Sequence, residues 1–348
     1  MSTNEPMRVG ILTGGGDCPG LNAVIRAIVR KGERVYGDTL LGFQDGWRGV
    51  MDGEYTELDI ARLRGTLPRG GTIIGTSRVQ PYASSDGLER VRRTIESSSL
   101  DAIIAIGGEG TLSCTQRLFL DGFPVVGVPK TIDNDIAATE RTFGFDTAVT
   151  IATEAIDRLH TTAESHNRVM VVEVMGRHVG HIAVWAGMAG GATITLIPEE
   201  PFDIEEVCRA LSRRHQNGKY ASIVVVAEGA KPIAGSFSIP PDEFDEYGHI
   251  RLGGIATRVA SEIERRTGFE TRVTILGHVQ RGGTPTAFDR VLSSRFGIAA
   301  IDAVHDRAFG QMVALRSNEI VRVSLAEATG ALKPVSQELW KTAKEFFA

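Results

Sequence analysis

The stretch Phe123-Pro124-Val125-Val126-Gly127-Val128-Pro129-Lys130-Thr131-Ile132-Asp133-Asn134-Asp135 joins an apolar run to a polar cluster. The run from Phe123 to Val128 reads as a buried strand. Such a strand, delivering polar side chains at its end, belongs to an open α/β sheet, whose ligands bind at the strand ends. If the chain stays extended past Pro129, then Thr131, Asp133 and Asp135 share one face, because side chains alternate with period two. A hydroxyl and two carboxylates on a common face suit acid–base work and a metal–phosphate site. A plain turn rich in Asp and Asn carries the same letters, so the reading depends on the rest of the chain.

Two upstream segments repeat the pattern. Arg8 to Thr13 reads as a strand, Gly14-Gly15-Gly16-Asp17-Cys18-Pro19-Gly20 as a tight loop, and Leu21 to Val35 as a helix. Asp101 to Ile106 is a second apolar strand, Gly107-Gly108-Glu109-Gly110-Thr111 its loop, and a helix follows to about Leu120. Strand, glycine loop and helix together offer backbone amides and a helix N-terminus to phosphate. The first loop is neither of the common nucleotide motifs. Pro19 stands where a dinucleotide fingerprint needs its third glycine, and Leu21-Asn22 replace the Lys-Ser/Thr of a Walker loop. The segment Arg69 to Arg78 is rich in glycine and hydroxyls and bracketed by arginines.

Strands and helices go on alternating. Leu40–Phe43, Arg168–Val174, Thr193–Ile197, Ala221–Ala227, Thr271–Leu276, Met312–Leu315 and Ile320–Val323 read as strands. Helices are expected over Leu88–Ser97, Thr147–His160, a segment ending near Gly190, Ile204–Gln216, Gly254–Thr267, Thr286–His305 and Ser336–Phe347. Lys231 to His249 reads as a loop rich in Pro, Gly and Asp. The alternation predicts an α/β protein with mostly parallel sheets covered on both faces. There are too many strands for one compact sheet, so two α/β layers with a cleft between them are expected.

At 348 residues the chain can bury two domains' worth of core. A net charge of −5 argues against a broad nucleic-acid or anionic-membrane surface. Three widely spaced cysteines (Cys18, Cys114 and Cys208) fit neither a disulfide framework nor a zinc site, and they suit a reducing cytoplasm. No apolar run approaches a membrane span, and the polar start, Met1 to Pro6, reads as a frayed tail and not a signal peptide. His178 and His181, and His160 and His166, lack the neighbours of a zinc site. Cys18, lying in the first glycine loop, is expected to meet oxidants when no nucleotide is bound.

In this order, the loops Gly14–Asn22, Arg69–Arg78, Gly107–Thr111 and Pro129–Asp135 resemble the PfkA-type 6-phosphofructokinases. So do Met175-Gly176-Arg177, Ala227-Glu228-Gly229 and Gly277-His278-Val279-Gln280-Arg281-Gly282-Gly283, and the likeness runs from about Met7 to Val323. It implies two Rossmann-like three-layer domains. Residues 1–144 with about 280–330 would bind nucleotide, and about 145–279 with 331–348 would bind sugar phosphate. It also implies transfer of the ATP γ-phosphoryl group to the 1-hydroxyl of fructose 6-phosphate in glycolysis, with Mg²⁺ as cofactor.

Residue by residue, the resemblance makes Asp133 the general base, flanked by Thr131 and Asp135, and puts Glu109 at the magnesium. Gly15, Gly16, Arg78, Gly108, Gly110 and Thr111 would lie along the nucleotide. Arg177 would stabilise the transferred phosphoryl group. Met175, Gly176 and Glu228 would contact the sugar, and His278 and Arg281 the 6-phosphate. Arg168 and Arg272 would reach the 6-phosphate of a neighbouring subunit, which implies a homo-oligomer, a dimer of dimers (homotetramer); a surface salt bridge is the plainer reading of either.

Two residues bear on the phosphoryl donor and point in opposite directions: Gly110 stands where ATP enzymes of the family have glycine, and Lys130 where diphosphate enzymes have lysine. An aspartate at 110 would exclude ATP by bulk and charge, whereas a lysine can swing aside, so ATP is expected. Around the effector site of the best-known bacterial members, Arg26, Arg30 and Lys219 match, but Ile60, Asn217 and Tyr220 replace basic residues. A diphosphate-dependent enzyme, a non-catalytic nucleotide-binding protein and a dehydrogenase are the competing classes. Pro19 disfavours the last, and the intact Glu109, Asp133 and Arg177 disfavour a non-catalytic protein.

Overall fold

The computed structural model describes residues 5–237 and 253–347. Most of the loop read at 231–249, and the first four residues of the frayed tail, lie outside them. The described chain divides into two compact units, residues 1–147 with 281–333 and residues 148–280 with 334–348.

The first unit is built on an eight-stranded sheet. Its strands are β1 (Arg8–Gly14), β2 (Thr39–Phe43), β3 (Tyr55–Leu58), β4 (Ala102–Gly107), β5 (Val125–Thr131), β6 (Phe143–Gly144), β11 (Gln311–Arg316) and β12 (Glu319–Ser324). They run in the order β12-β11-β5-β4-β1-β2-β3, with β6 beside β5. Only the outer strands β3 and β12 pair antiparallel. The central strands are apolar on both sides, as parallel strands covered by helices must be.

On one face Leu12, Leu41, Phe43, Ile103, Ala105 and Val125 pack against α2 (Trp47–Asp52), α3 (Gly87–Ser97) and α4 (Glu109–Leu120). Elsewhere in the unit α1 (Leu21–Lys31) packs along α9 (Ala287–His305), where Gly297 lets the two backbones approach. A side chain at Gly297 would fall 2.6 Å from the Val24 carbonyl oxygen. α10 (Leu325–Thr329) closes β11 and β12 against α4.

The second unit holds a four-stranded parallel sheet in the order β10-β7-β9-β8. Its strands are β7 (Val169–Val174), β8 (Ile194–Leu196), β9 (Ser222–Ala227) and β10 (Thr271–Ile275). α7 (Ile204–Gln216) and α8 (Ile255–Thr267) bury their apolar stripes on Val169, Val171, Val224 and Val226. α6 (His181–Ala189) packs on β8 and β9, and α11 (Gln337–Lys344) on α6. The long α5 (Phe145–His166) carries the first boundary between the units, after Thr147. The expected α/β class with two Rossmann-like sheets is what the chain forms.

Several expectations need correction. β5 does not end at its proline; it continues to Thr131, with Pro129 in the last register pair to β4, where its missing N–H costs little. The first helix stops at Lys31 and continues as a π-helical turn over Gly32–Tyr36. The Gly277–Arg281 part of the loop after β10 is a 3₁₀ turn. α2, β3 and α10 are too short, at 6, 4 and 5 residues, to show a period in the sequence.

Candidate active site

Register brings the two glycine loops together. Gly14, the last residue of β1, lies opposite Gly107, the last of β4, and Gly107 lies opposite Pro129 of β5. Three loops therefore leave one edge of the sheet side by side. A side chain at Gly14 or Gly107 would collide with Thr111, whose buried side chain fills the space between them. The two glycines and Thr111 are thus one packing unit.

The first loop is stitched to the 69–78 segment by two hydrogen bonds. The Gly15 amide donates to the Ser77 carbonyl at 2.9 Å, and the Thr76 hydroxyl donates to the Gly15 carbonyl at 2.6 Å. Asn22 makes a clamp that the sequence reading did not assign. Its amide nitrogen donates to the Arg69 and Gly70 carbonyls at 3.0 and 3.2 Å, and its oxygen accepts from the Ile73 amide at 2.9 Å. An asparagine in the first turn of a helix has low helix propensity, and that is the signal that could have flagged it. Gly20, at φ 110°, starts α1 in a conformation that a side chain would strain.

Lys130 is buried, and its ammonium donates to the Gly16 carbonyl. Burial holds its pKa below the usual lysine value. Arg281 belongs to this loop too: a side chain at Gly16 would run into its guanidinium, which donates to the Asp17 carbonyl at 3.4 Å. Arg281 falls in the first unit and the exposed His278 in the second. Cys18 corrects another expectation. It is 1% exposed and packs on Gly144, and burial pushes its thiol up to about 12, so it is not open to oxidants.

The cluster after β5 is not extended. The strand stops at Thr131, and Asn134 has φ 53°, so period two does not align Thr131, Asp133 and Asp135. A turn brings them together instead. The Asp133 amide donates to the Thr131 hydroxyl at 3.0 Å, and the Thr131 side chain also hydrogen-bonds Asp135. Asp135 has a buried oxygen with no hydrogen-bond partner, and its pKa is raised, chiefly by burial, with the Glu109 charge adding to the rise. Glu109 is the first residue of α4 and accepts from the Ser113 hydroxyl at 2.8 Å. Gly110 follows it, and a side chain there would meet only the Gln80 amide nitrogen, at 3.4 Å. Arg78 is exposed next to Ser77.

In the second unit the ends of β7 and β9 are tied together. The Glu228 amide donates to the Val174 carbonyl at 2.9 Å, and the Gly229 amide to the Gly176 carbonyl at 3.1 Å. A side chain at Gly229 would strike the Arg177 carbonyl. Met175, Gly176, Arg177 and Glu228 are thereby set at one strand-end corner. The buried Gln280, also unassigned in the sequence, accepts from the Met175 amide at 3.3 Å. Arg168 and Arg272 converge on Glu270: Arg168 pairs with it at 2.8 Å, and Arg272 pairs with its other oxygen. Among the described residues no group of three or more His, Cys, Asp or Glu forms a metal cage. No described helix is long and apolar enough to cross a membrane.

Parallel strands ending in glycine loops at one sheet edge, beside a turn of one hydroxyl and two acids, define an α/β phosphotransferase. The chain belongs to the phosphofructokinase family, whose model matches residues 8–304. It is 58% identical over 342 residues to the pyrophosphate–fructose 6-phosphate 1-phosphotransferase of Streptomyces coelicolor, covering 98% of this chain and 100% of that one. It is 55% identical over 342 residues to the ATP-dependent 6-phosphofructokinase of Mycobacterium leprae, with 98% and 100% covered. The phosphofructokinase structure from Pichia pastoris superposes with a TM-score of 0.82 at 31% identity, over 98% of this chain and 36% of that one.

Proposed function

We propose that the protein transfers the γ-phosphoryl group of ATP to the 1-hydroxyl of fructose 6-phosphate, giving fructose 1,6-bisphosphate and ADP. The observation that carries the choice of donor is Gly110. Its φ is not positive and an added side chain would meet only the Gln80 amide nitrogen, at 3.4 Å, so the fold itself does not require glycine there. The missing side chain then keeps space open at the N-terminus of α4, where the longer donor must pass. Lys130 is the observation that favours diphosphate, as do relatives such as the Streptomyces enzyme. Its ammonium, however, is already engaged by the Gly16 carbonyl. Assayed with fructose 6-phosphate and either donor at equal concentration, the protein is expected to turn over faster with ATP. Faster turnover with diphosphate would reverse the order of the two cues.

In this reading the first unit takes the nucleotide and the second the sugar phosphate. Gly15, Gly16, Gly108, Gly110 and Thr111 line the donor, with Arg78 pairing its phosphates. Asp133 takes the proton of the 1-hydroxyl, and the Thr131 hydroxyl pins its backbone. Glu109 and Asp135 offer the hard carboxylate oxygens that suit Mg²⁺, and the unpartnered Asp135 oxygen is the observation that fits it. When bound, the ion neutralises charge on the donor phosphates. Phosphoryl transfer asks mainly for positioning and charge compensation, so Arg177 faces the transferred group. Met175, Gly176 and Glu228 hold the sugar, and His278 the 6-phosphate. Arg281 also takes the 6-phosphate, in exchange for its 3.4 Å bond to the Asp17 carbonyl, because bonds to ionised acceptors are roughly twice as strong as neutral ones. Three free, buried cysteines support a cytoplasmic setting in this reading.

A homo-oligomer, a dimer of dimers, is part of the proposal. β10 is an edge strand whose Arg272, Val273 and Ile275 are exposed, and Arg168 immediately precedes β7, the strand that β10 pairs with. Arg168→Ala and Arg272→Ala are each expected to raise KM for fructose 6-phosphate about 10- to 100-fold, as loss of a charged hydrogen bond does. KM for ATP should change less than about threefold. Hybrids of either variant with an Asp133-inactivated chain should regain activity if the sugar site is shared. No recovery under proven subunit exchange would remove the sharing.

A further inference from the structure

We propose that Lys333 is a positioning residue that holds the turn carrying Asp133 and Asp135 in its working shape; the proposal rests on the functional reading above. The turn cannot keep that shape by local preference. Ala138 (φ 63°) sits in the left-handed region, which is unfavourable for a residue with a Cβ, and so does Asn134 (φ 53°), a residue type that visits it more readily. Alanine has no side-chain bond to offset that cost. The surrounding structure must therefore impose the conformation.

Lys333 supplies the support from almost two hundred residues away. The Lys333 amide donates to the Asp135 carbonyl at 2.8 Å, and the neighbouring Leu332 forms an isolated antiparallel bridge with Ile136. The Lys333 ammonium then reaches along the turn. It donates to the Asn134 side-chain oxygen at 3.0 Å, the Thr139 carbonyl at 2.8 Å and the Glu140 carbonyl at 3.1 Å. Three N–H donors thus meet three acceptors spread over residues 134–140. The same Asn134 oxygen accepts from the Thr142 amide at 3.1 Å, which passes the restraint to the far end of the turn. The following Pro334 biases Lys333 to an extended backbone, which aims the side chain in advance.

A neutral side chain of similar length keeps the packing and loses all three bonds. Lys333→Met is expected to lower kcat about 10- to 100-fold, because small misplacement of a reacting group costs that much. KM for fructose 6-phosphate and ATP should stay within about threefold. Amide exchange at Thr142 should speed up at least about tenfold, while amides of β1 and β4 stay protected. The decisive arm is Lys333→Cys, assayed before and after alkylation of the introduced thiol with 2-bromoethylamine. Alkylation rebuilds an ammonium at nearly the native length, and the three native cysteines are buried. Recovery of kcat together with slow Thr142 exchange supports the assignment. Unchanged exchange at Thr142 in the variants, or no recovery on alkylation, overturns it. The exchange measurement needs no substrate, so it judges Lys333 even if the unmodified protein fails to phosphorylate fructose 6-phosphate.

Discussion

Asp133→Ser is expected to lower kcat about 10²- to 10⁴-fold, the usual worth of a positioned proton acceptor. KM for fructose 6-phosphate should move less than about threefold, because the interaction is made chiefly in the transition state. The local geometry makes the comparison a clean one. The Asp133 backbone is fixed by its amide bond to the Thr131 hydroxyl, and Asn134 and Thr142 close the turn behind it. None of these bonds uses the Asp133 carboxylate, so all of them remain available after the substitution. Steady-state kinetics with a thermal melt on the same sample is the check. Near-normal kcat in a folded variant would remove Asp133 as the base.

Gly110→Asp is expected to abolish turnover with ATP, a loss of more than about 10³-fold, while leaving the fold intact. A side chain at 110 meets only the end of Gln80, which can move. The new carboxylate would also sit in the first turn of α4, where negative charge is stabilising. The melting temperature should therefore not fall, and the loss can be read as donor exclusion and not as unfolding. Adding Lys130→Gly should not restore ATP use. It should lower stability, because it leaves the Gly16 carbonyl without its partner and opens a cavity. Comparable ATP turnover in a folded Gly110→Asp protein would show that position 110 does not set the donor.

Much of the frame was legible because it rests on short-range rules. Apolar runs between glycine loops located β1, β4 and β5, and the expected helices Ile204–Gln216 and Thr286–His305 match α7 at both ends and α9 within one residue. The glycines of the two loops were legible as backbone offered to phosphate. Their common partner, Thr111, was legible only as part of a motif. The missed α2, β3 and α10 are short and owe their shape to neighbours. The expectation of an extended 131–135 segment failed for a related reason. A period-two rule assumes that the strand continues, and it stops at Thr131.

The sequence by itself determined the α/β alternation, the strand-end loops and the residue types available for phosphoryl chemistry, because these follow from hydrophobic period and local backbone preference. Only the tertiary structure decided which distant residues meet. Cys18 is sealed under Gly144, Arg281 lies on the Gly16 loop, Arg168 and Arg272 share Glu270, and Lys333 braces a turn 199 residues upstream of it. Contacts at such separations leave no period in the chain. They are set by which surfaces the packed sheet and helices bring together, and burial then determines which polar groups must find partners there.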